Sequence, residues 1–303
     1  MEREQGLILE VNDLKKIYRN GVEAVKGIDI HLDSQEVCAL LGPNGAGKTT
    51  TLKSILDLVN YEGEITVFGK PVREVKDRIS FVPEEKLFYE NMDINQSLKV
   101  LNKILTNFDN VKAEELIKYF DLPRNKKIAS FSNGMKTSAY LSFALAQNVD
   151  LYILDEPTWG LDPIKRDDVL EMIRQLVIEG KSVLYTSHII PEVQKIADRM
   201  YIMHKGKIHY SGSIDELKEK YKVFYMTGEV YDELGVGDES FYAIVKERNK
   251  ISVISNDQNQ WNRLSKIKEI DVDNCDLEKF FQIIIRGGLN SGVFSSTTKE
   301  RGT

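Results

Sequence analysis

Apolar residues recur along the chain in two alternating patterns. Short apolar runs favour strands, whereas longer stretches with apolar residues three or four positions apart favour amphipathic helices. The predicted strands are 7–11, 21–25, 28–32, 36–41, 63–69, 151–154 and 182–186, and the predicted helices are 49–56, 93–120, 138–147 and 166–179. Strands that alternate with helices predict an α/β fold, a parallel sheet with helices on both faces.

The pattern changes in the last third of the chain. The strand-like runs there are 224–230 and 241–255, and a helical stretch follows at 276–286. We therefore predict a first domain over residues 1–221 and a small accessory α+β domain over 222–289. Residues 290–303 are rich in Ser, Thr and Gly, a composition that predicts a disordered tail.

Composition favours a soluble globular protein. Of the 303 residues 42% are hydrophobic and 29% charged, and the net charge of −6 gives no basic field, so we expect no nucleic-acid partner. No apolar run approaches the ~20 residues that span a bilayer, and residues 1–5 lack the apolar core of a signal peptide. Cys38 and Cys275 have no metal-binding spacing, which agrees with reduced thiols in a cytosolic chain.

Residues 42–49 read G-P-N-G-A-G-K-T between a predicted strand and a predicted helix. In that context the pattern predicts a loop that binds the phosphates of a nucleoside triphosphate. Its glycines let successive backbone N–H groups point at an anion. Lys48 is placed to reach the β- and γ-phosphates, and the Thr49 hydroxyl to ligate Mg²⁺. The predicted nucleotide-binding residues of this segment are Gly42, Pro43, Asn44, Gly45, Ala46, Gly47, Lys48, Thr49 and Thr50.

Two carboxylates follow the apolar strand predicted at 151–154. Asp155 is placed to hold Mg²⁺, directly or through water, and Glu156 to take a proton from an attacking water. A strand that simply ends in solvated acids is the alternative, which a phosphate loop in the same chain disfavours. His188 follows another predicted strand, where a neutral imidazole suits a γ-phosphate or the attacking water unless it is structural.

A second anion site is predicted at residues 132–136, S-N-G-M-K, just before a helix. The hydroxyl of Ser132 and the bare backbone of Gly134 at a helix N-terminus both suit a phosphate. On these residues alone, an ordinary N-cap and turn is the alternative interpretation.

Together and in this order, the motifs resemble the nucleotide-binding subunit of an ABC transporter over roughly residues 7–220. The resemblance implies a P-loop NTPase (RecA-like) core with an antiparallel β subdomain and a helical subdomain at about 85–140. The matching segments are 42–49 as Walker A, 151–156 as Walker B with the catalytic glutamate, 131–135 as the signature, 160–162 as the D-loop and His188 as the switch histidine. Tyr18 lies where the family stacks an aromatic ring on adenine, unless it is a surface tyrosine near a turn.

Two segments depart from the family pattern. Glu84 stands where the Q-loop usually presents a glutamine, and its carboxylate still offers an oxygen to Mg²⁺. In the signature, Asn133 replaces the first glycine and Met135 the glutamine, whereas Ser132 and Gly134 remain. We therefore expect the function to be kept.

The resemblance implies an ATPase that uses ATP and Mg²⁺. The catalytic residues that it implies are Lys48, Glu156 and His188, and the metal ligands are Thr49, Glu84 and Asp155. In this family Walker A of one subunit faces the signature of another, so we expect two ATP molecules between two copies or between this chain and a closely related subunit. The stretch 86–120 is expected to contact a separate transmembrane permease, which would hold the chain at the inner face of the cell membrane.

The signature, the glutamate Q-loop and the C-terminal extension resemble a branch of bacterial drug and antibiotic exporters, which predicts export. Two alternatives stay open. One is a soluble ABC ATPase that works in DNA repair, in iron–sulfur assembly or on ribosomes. Three features disfavour it: the single set of motifs, the lack of long coiled coils and the net charge of −6. The other is a nucleotide switch that binds ATP without hydrolysing it.

Overall fold

The structure is a computed structural model that describes residues 6–86 and 91–287. The chain forms two compact units, with the boundary between Tyr210 and Ser211. The predicted domain boundary at 221 and the predicted helical subdomain at about 85–140 stay predictions. The disordered tail predicted at 290–303 lies outside the described residues. None of the helices described is long and apolar enough to cross a membrane.

The first unit begins with two paired antiparallel strands, and strands and helices then intersperse along the chain. Its elements are Leu7–Ile17 (β1), Glu23–Asp33 (β2), Val37–Leu41 (β3), Lys48–Ile55 (α1), Glu62–Val67 (β4), Ile79–Val82 (β5), Ile94–Ile104 (α2), Asn110–Tyr119 (α3), Asn133–Leu145 (α4), Leu151–Asp155 (β6), Pro163–Ile178 (α5), Ser182–Ser187 (β7), Ile190–Ile196 (α6), Arg199–His204 (β8) and Lys207–Gly212 (β9), the last of which runs across the boundary. Every residue of β3, β6 and β7 is buried, which explains why these strands read as continuous apolar runs.

A six-stranded sheet in the order β5-β6-β7-β3-β8-β9 forms the centre of the first unit. Its first five strands are parallel neighbours. Because parallel strands end at the same edge of a sheet, the residues that follow β3, β5, β6 and β7 meet there, which is where ligands bind in open α/β sheets. The predicted α/β core is confirmed, although β5, β8 and β9 were not predicted.

An antiparallel sheet in the order β2-β1-β4 confirms the predicted antiparallel subdomain. The prediction of two strands at 21–25 and 28–32 is wrong, since β2 is continuous from Glu23 to Asp33. Gly27 within it has φ +72° and falls between the pairs that Lys26 and Ile28 make with β1. This irregularity is a bulge, and its glycine looked like a strand break in the sequence.

Three helices follow β5 in the segment predicted to be helical. The stretch 93–120, predicted to be helical, forms two helices, and Asp109 caps the second, α3, by accepting from the N–H groups of Val111 and Lys112. Asp93 similarly caps α2 through a reciprocal arrangement with Gln96. These two acids place the helix starts that periodicity alone did not separate.

The second unit is a small α+β fold, as predicted. Its elements are Ile214–Lys220 (α7), Lys222–Met226 (β10), Gly228–Glu233 (α8), Ala243–Glu247 (β11), Lys250–Ser255 (β12), Gln258–Leu264 (α9), Asp271–Asn274 (β13) and Leu277–Gly287 (α10). The antiparallel order β11-β12-β10-β13, with α8 and α9 as the crossover helices, is the ferredoxin-like β-α-β-β-α-β arrangement. The strand predicted at 224–230 is wrong beyond Met226, because Thr227 caps α8 there.

The final helix, α10, buries an aromatic cluster in the second unit. Phe280 is fully buried, and its ring centroid lies 5.0 Å from that of Tyr221 and 5.8 Å from that of Tyr242. We expect Phe280→Ala to lower the free energy of unfolding of this unit by about 3–5 kcal/mol, the usual cost of truncating a buried Phe. Urea unfolding followed by Trp261 fluorescence, in a Trp159→Phe background, measures this.

Phe281→Ala is the matched control, since the neighbouring ring is only half-buried. Its cost should be less than half that of Phe280→Ala. Equal costs for the two variants would contradict the assignment of Phe280 as the anchor of α10.

Candidate active site

The phosphate loop joins β3 to α1, as predicted, through backbone that requires glycine. Gly47 has φ +114°, and a side chain there would place its Cβ 2.5 Å from the carbonyl oxygen of Ala24. A Cβ at Gly42 would collide with the carbonyl oxygen of Met203. The glycines therefore serve both the turn of the loop and its close approach to neighbouring backbone.

Lys48, the first residue of α1, forms a buried ion pair. Its Nζ lies 3.2 Å from Oε1 of Glu156, and both side chains are 6% exposed. The same Nζ donates to the carbonyl oxygens of Gly42 at 2.7 Å and of Pro43 at 3.3 Å. Because either charge alone would be buried without a counter-ion, the two side chains depend on each other.

Glu156 follows β6 and is fixed through both its backbone and its side chain. Its φ is +47°, a left-handed conformation that is rare outside glycine. Its N–H donates to Oγ1 of Thr186 at 3.0 Å, and its Oε2 lies 2.9 Å from Nδ1 of His188. The three side chains predicted to be catalytic are thus in contact, with the Glu156 carboxylate between the Lys48 ammonium and the His188 imidazole.

Asp155, the last residue of β6, is 1% exposed and only partly satisfied. Its Oδ1 accepts from Oγ1 of Thr186 at 2.6 Å, whereas Oδ2 has no hydrogen-bond partner among the described residues. Burial raises the pKa of the Asp155 carboxyl, and the hydrogen bond from Thr186 partly offsets this. The hydroxyl of Thr49 also lowers the pKa of the Asp155 carboxyl, and it donates to Oε2 of Glu84 at 3.0 Å.

The oxygens of Thr49, Glu84 and Asp155 fit a hard divalent cation. Mg²⁺ takes oxygen ligands, usually one or two carboxylates with waters and phosphate oxygens, and the unpartnered Oδ2 of Asp155 is an acceptor of that kind. Within residues 6–86 and 91–287, no group of three or more His, Cys, Asp or Glu side chains is arranged to hold a metal.

A cavity of 380 Å³ lies over the phosphate loop and has the size of a small-molecule site. Residues 44–50 line it together with Glu84 and Glu156. Tyr18 lines it as well, and its hydroxyl lies 3.2 Å from Oγ1 of Thr50, within hydrogen-bond distance. Tyr18, the residue predicted to stack on adenine, thus lines the same cavity as the phosphate loop.

The signature residues do not line that cavity. Ser132 caps α4, where its Oγ accepts from the N–H of Met135 at 3.3 Å, and its side chain is exposed. Gly134 packs against the D-loop so closely that a Cβ would lie 2.5 Å from the carbonyl oxygen of Gly160. The predicted second anion site is therefore separate from the phosphate loop of its own chain.

Two buried polar residues of the site were missed in the sequence. Thr186 bridges Asp155 and Glu156, and it is the register partner of Asp155 on the neighbouring strand. Glu192 is 2% exposed and accepts from the hydroxyls of Thr158 and Ser187, each at 2.7 Å. The strand order would have revealed Thr186, but nothing in the sequence around Glu192 distinguishes it from a surface acid.

Lys86 is a third residue that sequence reasoning missed. Its half-buried ammonium donates to the carbonyl oxygen of Glu156 at 3.4 Å. Burial lowers the pKa of Lys86 to about 8, against the attraction of the Asp155, Glu84 and Glu156 carboxylates. The side chain therefore places a second ammonium, besides that of Lys48, among the carboxylates of the site.

A phosphate loop on a parallel sheet, with two acids at the end of another strand of the same sheet, defines a P-loop nucleoside triphosphatase. The family model "ABC transporter" matches residues 25–159. The linearmycin resistance ATP-binding protein LnrL of Bacillus subtilis is 37% identical over 69% of this chain and 70% of its own length. The daunorubicin/doxorubicin resistance ATP-binding protein DrrA of Streptomyces peucetius is 33% identical over 69% of this chain and 66% of its own.

Solved structures agree with these relatives. The structure described as the ATP-binding subunit of an ABC transporter is 28% identical, with a TM-score of 0.63 over 70% of this chain and 92% of that one. The chain belongs to the ABC transporter family, as an ATP-binding subunit and an ATPase. The resemblance drawn from the motifs is thus confirmed, whereas the roles of single residues stay predictions.

The raised pKa of Asp155 predicts that its ionised carboxylate destabilises the folded chain. The ionised carboxylate is less stable in the folded chain than in the unfolded one, so this destabilisation is absent while the group is protonated and is complete above its folded pKa. We expect Asp155→Asn to raise the melting temperature of the nucleotide-free protein at pH 8, because the neutral amide removes the buried negative charge. The gain should shrink as the pH is lowered.

Asp167→Asn is the control, because Asp167 forms only an exposed ion pair with Lys195. Calorimetry of both variants between pH 5 and 8 decides the matter. A melting temperature for Asp155→Asn at or below that of the unmodified protein at pH 8 would show that burial does not disfavour this carboxylate.

Proposed function

We propose that this chain hydrolyses ATP as half of a dimer and drives export through a separate membrane-spanning subunit. The observation that carries the proposal is the Glu156 carboxylate, held between the Lys48 ammonium and the His188 imidazole at the cavity over the phosphate loop. A carboxylate in that position is suited to take a proton from a water that attacks the γ-phosphate.

Phosphate binding would rearrange the buried ion pair. The Lys48 ammonium is shared between Glu156 and loop carbonyls, and the phosphate oxygens of ATP offer it a stronger partner. When the ammonium turns to the phosphates, the Glu156 carboxylate is freed from its ion pair and can accept a proton from the attacking water. His188 would then orient the carboxylate and the water through its contact with Oε2.

Thr49, Glu84 and Asp155 would hold the magnesium ion. The hydroxyl of Thr49 already lies 3.0 Å from Oε2 of Glu84, and Oδ2 of Asp155 is an unpartnered acceptor. When bound, Mg²⁺ neutralises charge on the phosphate oxygens. Tyr18 would stack on the adenine at the other end of the cavity, next to Thr50.

The signature supports a dimer. Ser132 and Gly134 lie outside the cavity of their own chain, and Ser132 is exposed at the start of α4. The hydroxyl and the helix N-terminus suit a γ-phosphate held by a second subunit. We therefore propose two ATP molecules between two copies, or between this chain and a closely related ATPase subunit, with closure on ATP and opening after hydrolysis as a population shift.

An apolar groove on the helical side of the first unit supports a membrane partner. It has a volume of 250 Å³ and is lined mostly by apolar side chains of β5, α2, α4 and the segment before α2: Phe81, Met92, Val100, Leu101, Ile104, Tyr140 and Phe143. Ile104 is 66% exposed and Val100 40%, so the groove leaves apolar surface for a partner to cover. It overlaps the predicted contact stretch 86–120, of which residues 87–90 lie outside the described residues.

We propose that an apolar segment of the permease occupies this groove. The position fits coupling, because Phe81 of β5 lines the groove and Glu84, two residues beyond the end of β5, lines the ATP cavity. The relatives named for linearmycin and daunorubicin/doxorubicin resistance support export as the direction. The chain would then sit on the cytoplasmic face of the membrane, held by its permease.

Replacing the proposed base tests the chemistry. We expect Glu156→Gln to lower kcat for ATP hydrolysis by at least ~100-fold, because the amide cannot accept the proton. ATP binding should persist, so size-exclusion chromatography with ATP should show a trapped dimer. Glu171→Gln, an exposed acid of α5, should leave both properties unchanged. Hydrolysis at the normal rate by Glu156→Gln would overturn the proposed role of Glu156.

Replacing an exposed residue of the groove tests the docking. We expect Ile104→Asp to weaken co-purification with a co-expressed candidate permease by about tenfold or more, as loss of an interface anchor does. ATP hydrolysis by the isolated chain should not change. Ile178→Asp is the matched control, since Ile178 is 69% exposed on α5, outside the groove. Equal retention of the two variants would contradict docking in this groove.

A further inference from the structure

The segment 84–86 touches the ATP site at two separate points. Glu84 accepts from the hydroxyl of Thr49 on α1, at 3.0 Å. Two residues later, the ammonium of Lys86 donates to the carbonyl oxygen of Glu156, at 3.4 Å. The segment therefore connects the helix of the phosphate loop to the peptide that follows the proposed catalytic base.

The carbonyl that Lys86 contacts belongs to a strained and heavily constrained residue. Glu156 has φ +47°, a conformation that persists only where surrounding contacts stabilise it. Its N–H is bound by Thr186, and its carbonyl oxygen also accepts from the N–H of Trp159 at 3.2 Å. Lys86 is thus one of three contacts that fix the two peptide groups on either side of the Glu156 side chain.

The charge of Lys86 fits the same position. Its ammonium is attracted by the carboxylates of Glu84, Asp155 and Glu156. Lys48, the other ammonium of the site, is occupied by the carboxylate of Glu156 and by loop carbonyls. The two lysines therefore act on different parts of Glu156, Lys48 on its side chain and Lys86 on its backbone.

We propose that Lys86 is a positioning residue for ATP hydrolysis, which holds the Glu156 carbonyl and thereby aims the Glu156 carboxylate into the cavity. This rests on the proposed role of Glu156 as the base. Lys86 acts through Glu156 rather than on the nucleotide, since it is not among the residues that line the cavity. Its loss should therefore lower kcat and leave ATP affinity unchanged.

The kinetic test compares three variants of the full chain. We expect Lys86→Met to lower kcat by about tenfold, because misdirected catalytic groups lose rate. The dissociation constant of the fluorescent analogue N-methylanthraniloyl-ATP should change by less than about twofold. Lys86→Arg, which keeps a cationic donor, should recover most of kcat. Lys99→Met, which removes an exposed ammonium of α2, should behave as the unmodified protein.

A second readout needs neither nucleotide nor turnover. The chain has two tryptophans, so Trp261→Phe leaves Trp159 as the single emitter. The backbone N–H of Trp159 and the Lys86 ammonium both donate to the carbonyl oxygen of Glu156. Lys86→Met should therefore alter the emission or the acrylamide quenching of Trp159. Lys86→Arg and Lys99→Met should not. If Lys86→Met fails to fold, as its melting curve would reveal, Lys86→Gln replaces it as the neutral variant.

The outcomes separate this proposal from the one on which it rests. Normal kcat in Lys86→Met, an equal loss in Lys86→Arg, or a loss of analogue binding that matches the loss of rate would each overturn the positioning role. If Glu156→Gln stops hydrolysis in the same experiment, the role of Glu156 stands even when that of Lys86 fails. If Glu156→Gln hydrolyses ATP normally, both fall.

Discussion

The buried ion pair between Lys48 and Glu156 is the interaction on which the site depends. Each side chain is 6% exposed, and a charge buried that far costs several kcal/mol unless an opposite charge accompanies it. The pair therefore ties the start of α1 to the end of β6. These elements are not neighbours in the sheet, because β7 lies between β6 and β3. Thr186, in β7, contacts Asp155 and Glu156, and His188, just after β7, contacts the carboxylate of Glu156.

The backbone around the loop is as constrained as its charges. Met203 of β8 is fully buried, and its carbonyl oxygen lies where a Cβ of Gly42 would be. Its side chain lies against Gly47, and its sulfur is 3.9 Å from the Thr51 hydroxyl. The hairpin of β8 and β9 thus packs against the phosphate loop. A loop that is already formed loses little conformational freedom on binding, which favours affinity for phosphates.

The sequence predicted those parts of the site whose residues form short motifs of neighbouring positions. The phosphate loop and the acids at 155 and 156 follow from short motifs beside apolar runs. Thr186, Glu192 and Lys86 could not be found in this way, because each matters through a partner at least five positions away. The fold shows the same division. Buried strands were predicted from continuous apolar runs, whereas the bulge at Gly27 concealed a single strand, since its meaning lies in the pairing with β1.

The charges of the site also explain why catalysis would wait for ATP. In the nucleotide-free chain, the carboxylate of Glu156 is engaged by the ammonium of Lys48 and by the imidazole of His188. Phosphate oxygens compete for the Lys48 ammonium but cannot replace the backbone contacts that hold Glu156 in place. In the proposed mechanism, binding would therefore change the charges around Glu156 while these backbone contacts hold the residue in place. In the proposed mechanism, the base would be freed from its counter-ion only when substrate binds, in a site that a second subunit would complete.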